Sequence, residues 1–233
     1  MNKKKLLSLS VVVIMIAILS FSSLAWFTDN DSIKNEFMIA TSDDDTADEI
    51  FSVDVWENTP DGDQNQDDYT YEDVLPGDVL KKEVNVENTG YYDQYIRVTV
   101  TVSDAEAWMA ALKTNGKTPK LEQIVDGYDP NANIWVDASS KVENDQIIYT
   151  LHYNNILLGD QDNSYDNAGV HKDVVTVFTA VKIPASMTVE QAAAFKNNFN
   201  ITVKAEAVQT ENLDIDRTQG EGAKEAFAVV EGV

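Results

Sequence analysis

Hydrophobic and polar positions alternate with a period of two along much of this chain. The cleanest case is YIRVTVTV, where Ile96, Val98, Val100 and Val102 face one way and Arg97, Thr99 and Thr101 the other. Such alternation predicts a half-buried strand. The same reading gives a strand at FSVDVWE, with Phe51, Val53 and Val55 on one face and Ser52, Asp54 and Trp56 on the other. In IIYTLHYNNIL the inward set is Ile147, Tyr149, Leu151 and Tyr153. VVTVFTAVKIP places Val175, Val177, Val181 and Ile183 together, with Phe178 and Ala180 opposite. ITVKAEAVQ sets Ile201, Val203, Ala205 and Ala207 against Thr202, Lys204 and Glu206. Nearer the N-terminus, Ile33, Asn35, Phe37 and Ile39 alternate with Lys34, Glu36 and Met38, which predicts a further strand.

Turn chemistry punctuates these runs. In VLPGD, Pro76 presets the first central position of a turn and Gly77 accepts positive φ at the second, as a type II turn requires. VLKKEVNVENTG then reads as a strand ending in a turn at Asn88–Gly90. TSDDDTADE and NTPDGDQNQDD are polar surface loops. Two short helices interrupt the strands. SDAEAWMAALKTNG opens on Ser103 and Glu106, the spacing of a capping box, and stops at Gly116; TVEQAAAFKNNF opens in the same way on Thr188 and Gln191. DRTQGEGAKEAFAVVEGV is either a loose tail or a short terminal helix. Roughly eight one-sided strands without a βαβ rhythm predict an all-β fold, an antiparallel sandwich of two sheets with two short inserted helices.

The N-terminus departs from this pattern. Lys3, Lys4 and Lys5 precede an apolar run from Leu6 to Phe21, and Ser23 and Ala25 supply a small-residue motif. This is the build of a secretory signal peptide, with cleavage expected between Ala25 and Trp26. An uncleaved anchor is the alternative, since the run is close to the ~20 residues that span a bilayer. Acidic residues rather than Lys or Arg follow it. The expected organisation is a leader over 1–25, an N-terminal strand over 26–40, a β domain over 41–213 and a tail over 214–233.

Charge then narrows the partners. The chain has a formal net charge of -23, and cleavage would remove three lysines and no acid, leaving -26. So acidic a surface repels nucleic acid and anionic lipid and attracts divalent cations or basic partners. There are 0 cysteines, which excludes thiol catalysis, disulfides and Cys-type zinc sites. The 2 histidines, His152 and His171, read as exposed surface residues rather than as a zinc site completed by Asp160 or Asp173. Asp61, Asp63, Asp67 and Asp68 are candidate calcium ligands, with Asp160, Asp162 and Asp166 a second set. The EF-hand's Gly and terminal Glu are missing, so any calcium site here is of the weak extracellular sort. No catalytic motif is found: H-E-x-x-H, G-x-S-x-G and G-x-G-x-x-G are all absent.

Several segments, taken in order, resemble one known family. LAWFTDNDSIKNEF is similar to the leader end and mature start of proteins processed by a signal peptidase of the SipW type. VLPGDVLKKEVNVENTGYYDQYIRV resembles the early strands of the TasA/camelysin family, and IIYTLHYNNILLGDQDN, VVTVFTAVKIP and ITVKAEAVQTENL its later ones. The resemblance runs from about Lys3 to Leu213. It implies a jelly-roll sandwich secreted by Gram-positive bacteria, outside the cell or at its surface, as a fibre subunit of a biofilm matrix. It also implies donor-strand exchange, in which the mature N-terminal strand of one subunit enters the next. That role falls on Trp26 to Ala40, with Ile33, Phe37 and Ile39 as the polymerising side chains. Implied partners are further copies of the chain and an accessory matrix subunit. Some relatives carry a metallopeptidase label, so a secreted metal-dependent endopeptidase is one alternative, and a monomeric surface adhesin is another.

Overall fold

The computed structural model describes residues 28–33, 51–58, 71, 73–159, 172–195, 199–210, 213 and 222–232, with the backbone alone for 28–33. Among them the chain is mostly β, in two antiparallel sheets with few helices. The strands are β1 (Thr28–Ile33), β2 (Val53–Asn58), β3 (Val79–Asn88), β4 (Gln94–Ser103), β5 (Val125–Asp126), β6 (Trp135–Glu143), β7 (Gln146–Tyr153), β8 (Val174–Lys182) and β9 (Ile201–Gln209). The helices are α1 (Ala105–Ala111), α2 (Leu121–Ile124), α3 (Val189–Ala194) and α4 (Gly222–Glu231). One sheet has the order β1-β9-β4-β7-β6 and the other β2-β3-β8-β5.

Period-two alternation builds the core as expected. Ile96, Val98, Val100 and Val102 of β4, Ile147, Tyr149 and Leu151 of β7, and Val203, Ala205 and Ala207 of β9 are buried in one cluster. Val53, Val55, Val84, Val86, Val175 and Val177 of the other sheet join the same cluster. The two sheets therefore share a single apolar core. On β8 the alternation breaks: Phe178, expected on the opposite face, is fully buried among these residues. The register between β3 and β8 shifts between Val84 and Asn85, where Phe178 and Thr176 of β8 are the partners of two adjacent β3 residues, so the extra residue Val177 and its neighbour Phe178 both turn inward.

The turn at Pro76–Gly77 forms as expected. Gly77 has φ +96° and the Asp78 amide donates to the Leu75 carbonyl at 3.1 Å. The box at Thr188 and Gln191 also closes, the Gln191 amide donating to Thr188 Oγ1 at 3.3 Å and the Thr188 amide to Gln191 Oε1 at 2.9 Å. The expected box at Ser103 does not form. Ser103 ends β4, and Asp104, at φ 59°, takes the N-cap position without a side-chain cap. The start of α1 is held instead by Asp145 of the β6–β7 hairpin, whose side chain accepts from the Glu106 amide at 3.1 Å and whose carbonyl accepts from Ala105 at 3.0 Å. The helix also ends earlier than Gly116, at Ala111. Trp108 of α1 meets Phe195 and Phe199 edge-to-face at 5.3 and 5.2 Å, which docks α3 on α1.

Candidate functional site

Among the described residues, strand β1 lies at the edge of the five-stranded sheet and is held by one ladder, to β9. Its register sets Thr28 opposite Val208, Asn30 opposite Glu206 and Ser32 opposite Lys204. In the alternate positions Asp29 stands opposite Ala207, Asp31 opposite Ala205 and Ile33 opposite Val203. Ala207, Ala205 and Val203 belong to the buried core. Strand β9 itself is paired along its other side to β4, from Gln94↔Gln209 to Val102↔Ile201. Five of the six residues of β1, TDNDSI, are polar, and Asp and Asn are poor strand formers. Of the expected strand around Ile33–Ile39, the described strand Thr28–Ile33 holds Ile33 alone. Ile33 closes β1, while Phe37 and Ile39 lie outside the described residues.

The other face of β9 and β4 carries α4. Ala223, Ala226 and Phe227 of the helix are buried against Tyr95 and Val208, which are opposite each other in the β4–β9 ladder. A Cβ on Gly222 would lie 2.8 Å from the Tyr95 ring, so the helix start needs glycine for that close approach. At the far end, Arg97 Nε donates to Glu206 Oε2 at 2.8 Å and Arg97 Nη1 to Glu231 Oε1 at 2.6 Å. The guanidinium carbon sits 4.3 Å from the centre of the Phe227 ring, a cation–π distance. Lys204 Nζ reaches the second oxygen of Glu206 at 3.2 Å. Burial alone would raise the Glu206 carboxyl; the hydrogen bond and charge of Arg97, helped by Lys204, outweigh it and hold the carboxyl below its ordinary range. Burial works against the Arg97 charge too, and its two carboxylate partners more than compensate.

His152 corrects an expectation. It lies on β7 directly opposite Arg97, and α4 covers it: its ring centre is 6.2 Å from Phe227 and it is buried rather than exposed. Asp173 is placed near the start of β8, where its carbonyl accepts from the Asn88 amide at 2.7 Å. His171, Ala25, Trp26, the candidate calcium ligands Asp61, Asp63, Asp67 and Asp68, and the acids Asp160, Asp162 and Asp166 lie outside the described residues. Among the described residues, no group of three or more His, Cys, Asp or Glu is placed to hold a metal ion. Nor, among them, is any helix long and apolar enough to cross a membrane. The Arg97 cluster was not legible as a site. The one signal for it is the spacing of Ala223, Ala226, Phe227 and Val230, an apolar stripe at helical period.

No protein-family model matches the chain, and no curated protein does. Among solved structures, the chain is similar to AvmM, described as catalysing macrocyclization in alchivemycin A biosynthesis. The identity is 11% over 71% of this chain and 67% of that one, with a TM-score of 0.23.

Proposed function

We propose that the mature chain is a secreted structural subunit of extracellular matrix fibres and that its N-terminal segment links subunits by donor-strand exchange. The observation that carries this reading is the place of β1. Among the described residues it is a polar edge strand held by one ladder, and β9 beneath it keeps its ladder to β4. A strand from a second copy can take the place of β1 by strand addition and leave the rest of the sheet intact. The leader and the ordered resemblance to the TasA/camelysin family support the same reading.

The strand order supports the finer reading of a jelly roll. With β2 set aside as an addition, eight strands remain. In a jelly roll the first, last, third and sixth strands form one sheet, and the second, seventh, fourth and fifth the other. Here β1-β9-β4-β7 and β3-β8-β5 follow that order, and β6 departs from it by pairing with β7.

The test compares electron micrographs of the chain 26–233 with those of a chain beginning at Thr41. Fibres are expected from the first and only monomers from the second. A peptide of residues 26–40, added in excess, should cap growth of the first. Fibres from the chain that begins at Thr41 would overturn the proposal.

A further inference from the structure

Helix α4 does not belong to the main core. Its small cluster, Tyr95, Val208, Ala223, Ala226 and Phe227, is separate from the one that joins the two sheets. A helix of 10 residues is too short to persist alone in water. Its last residue, Glu231, also carries the wrong charge for a helix C-terminus, where the macrodipole disfavours an anion. That position makes sense only when the helix is docked, because the carboxylate then meets Arg97. Folding and docking of α4 are thus one event, and Arg97 is the group that joins helix to sheet.

The charged and titratable groups around Arg97 on β9, α4 and β7 bear on how that event responds to acid. On β9, Glu206 and Lys204 form a chain with it; on α4, Glu231 binds it, and Lys224 and Glu225 are the helix's other charges. On β7, His152 is directly opposite. Protonating Glu206 and Glu231 removes both partners of the guanidinium. A proton on His152 places a second positive charge beside it on the same face, and like charges directly opposite destabilise a pair of strands. All three protonations act in one direction.

We propose that α4 is an acid-released latch: the Arg97 clamp holds it down while Glu206 and Glu231 are ionised and frees it when they are protonated, uncovering Tyr95 and Val208. Release leaves the two-sheet core folded, because that core is apolar. The device is independent of the fibre reading, since it operates within one subunit.

The chain has no cysteine, so a single Val229→Cys on the exposed side of α4 can carry a spin label. The label's mobility in the chain 26–233 is followed from neutral pH down to about pH 2, well below the ordinary carboxyl range, because Arg97 and Lys204 hold Glu206 under that range. Tryptophan fluorescence, from core residues such as Trp108 and Trp135, reports the sheets in the same samples. The expected result is a label immobilised at neutral pH and reversibly mobile in acid, while the fluorescence stays native. Arg97→Met, which keeps an apolar stem, should leave the label mobile at neutral pH and abolish the acid response. Glu231→Gln touches only a half-exposed side chain and should preserve folding. It should lower the docking constant at neutral pH roughly tenfold, the loss of one charge-assisted hydrogen bond. A label that stays immobile until the core itself unfolds would overturn the latch. So would a Glu231→Gln chain with unchanged mobility, whether or not Arg97→Met folds.

Discussion

The indole N–H of Trp135, on the edge strand β6 of one sheet, donates to the carbonyl of Thr176 on β8 of the other, at 3.3 Å. The bond spans the side of the molecule where β5, only 2 residues long, covers little of β8. Trp135 is 4% exposed and its ring packs on Tyr153 at 5.6 Å. It therefore serves both as core and as a tie between sheets. Trp135→Phe, which loses the donor and part of the ring, should cost about 1–2 kcal/mol. Trp135→Ala should cost about 3–5 kcal/mol. Urea unfolding followed by circular dichroism measures both; equal costs for the two variants would show that the hydrogen bond, and not the ring, dominates.

Two glycines separate conformational strain from crowding. Gly116 and Gly127 have nearly the same backbone, φ +77° and +81°. A Cβ on Gly116 would meet nothing within 4 Å, whereas one on Gly127 would lie 2.4 Å from Thr179 Oγ1 and 2.9 Å from the Thr179 backbone nitrogen. Gly116→Ala should then cost about 1 kcal/mol, the left-handed penalty alone. Gly127→Ala should cost about 2–4 kcal/mol, because β5 must also move away from β8. Thermal melts of the two variants side by side give the difference directly. Similar losses would mean that the β5 end yields freely.

Much of the β framework was legible because burial on one face writes itself as alternation. Ile96 to Val102 and Ile147 to Leu151 are the clear cases. Strand β6 was not, because Ala138 to Glu143 is exposed on both faces and its one large apolar residue, Val142, stands among Ser139, Ser140, Lys141 and Glu143, so no period marks it. The cap of α1 was missed for a different reason. Ser103 and Glu106 have the right spacing, but Asp145, far along the chain, supplies the acceptor. The clamp on α4 is likewise tertiary. Nothing in the neighbourhood of Glu231 names Arg97 as its partner, and His152 reads as exposed until the helix that covers it is in place.

Glu206 should give the acid limb of stability part of its slope. Its carboxyl ionises more readily in the folded chain than in the unfolded one, because of Arg97 and Lys204. Its contribution is therefore complete above the unfolded value of ~4.3 and disappears as pH falls through the lower folded value. Glu206→Gln should destabilise the protein by about 1–2 kcal/mol at neutral pH, as for a hydrogen bond to a charged group. The parent and variant should converge in acid. Urea midpoints taken across that range test this, and a difference that stays constant with pH would rule it out.

Each mature subunit would carry a formal charge of -26, so subunits repel as they come together. Exposed charges are screened over ~8–10 Å at physiological salt. Under the proposed fibre assembly, light scattering should rise faster at high ionic strength, in millimolar calcium and near the sequence pI of about 4.2. Fastest growth in low salt at neutral pH would contradict the electrostatic account.

The strand itself offers the most direct test of the proposed exchange. Ile33, Phe37 and Ile39 share one face of an alternating segment, and Lys34 and Glu36 the other. If that segment enters a neighbouring subunit, burying each apolar side chain is worth ~1.5–3 kcal/mol. Replacing Ile33 and Phe37 with Asp should then abolish fibres. Within its own subunit β1 is one edge ladder on β9, and the β9–β4 ladder does not depend on it. The double variant should therefore keep a folded two-sheet core, with a melting temperature lowered only modestly. Lys34→Ser with Glu36→Ser should leave fibres unchanged. Micrographs of the double Asp variant, read beside its thermal melt, separate the possibilities. A folded monomer supports exchange; a chain that no longer folds makes the segment an indispensable part of its own sheet, and normal fibres remove it from assembly altogether.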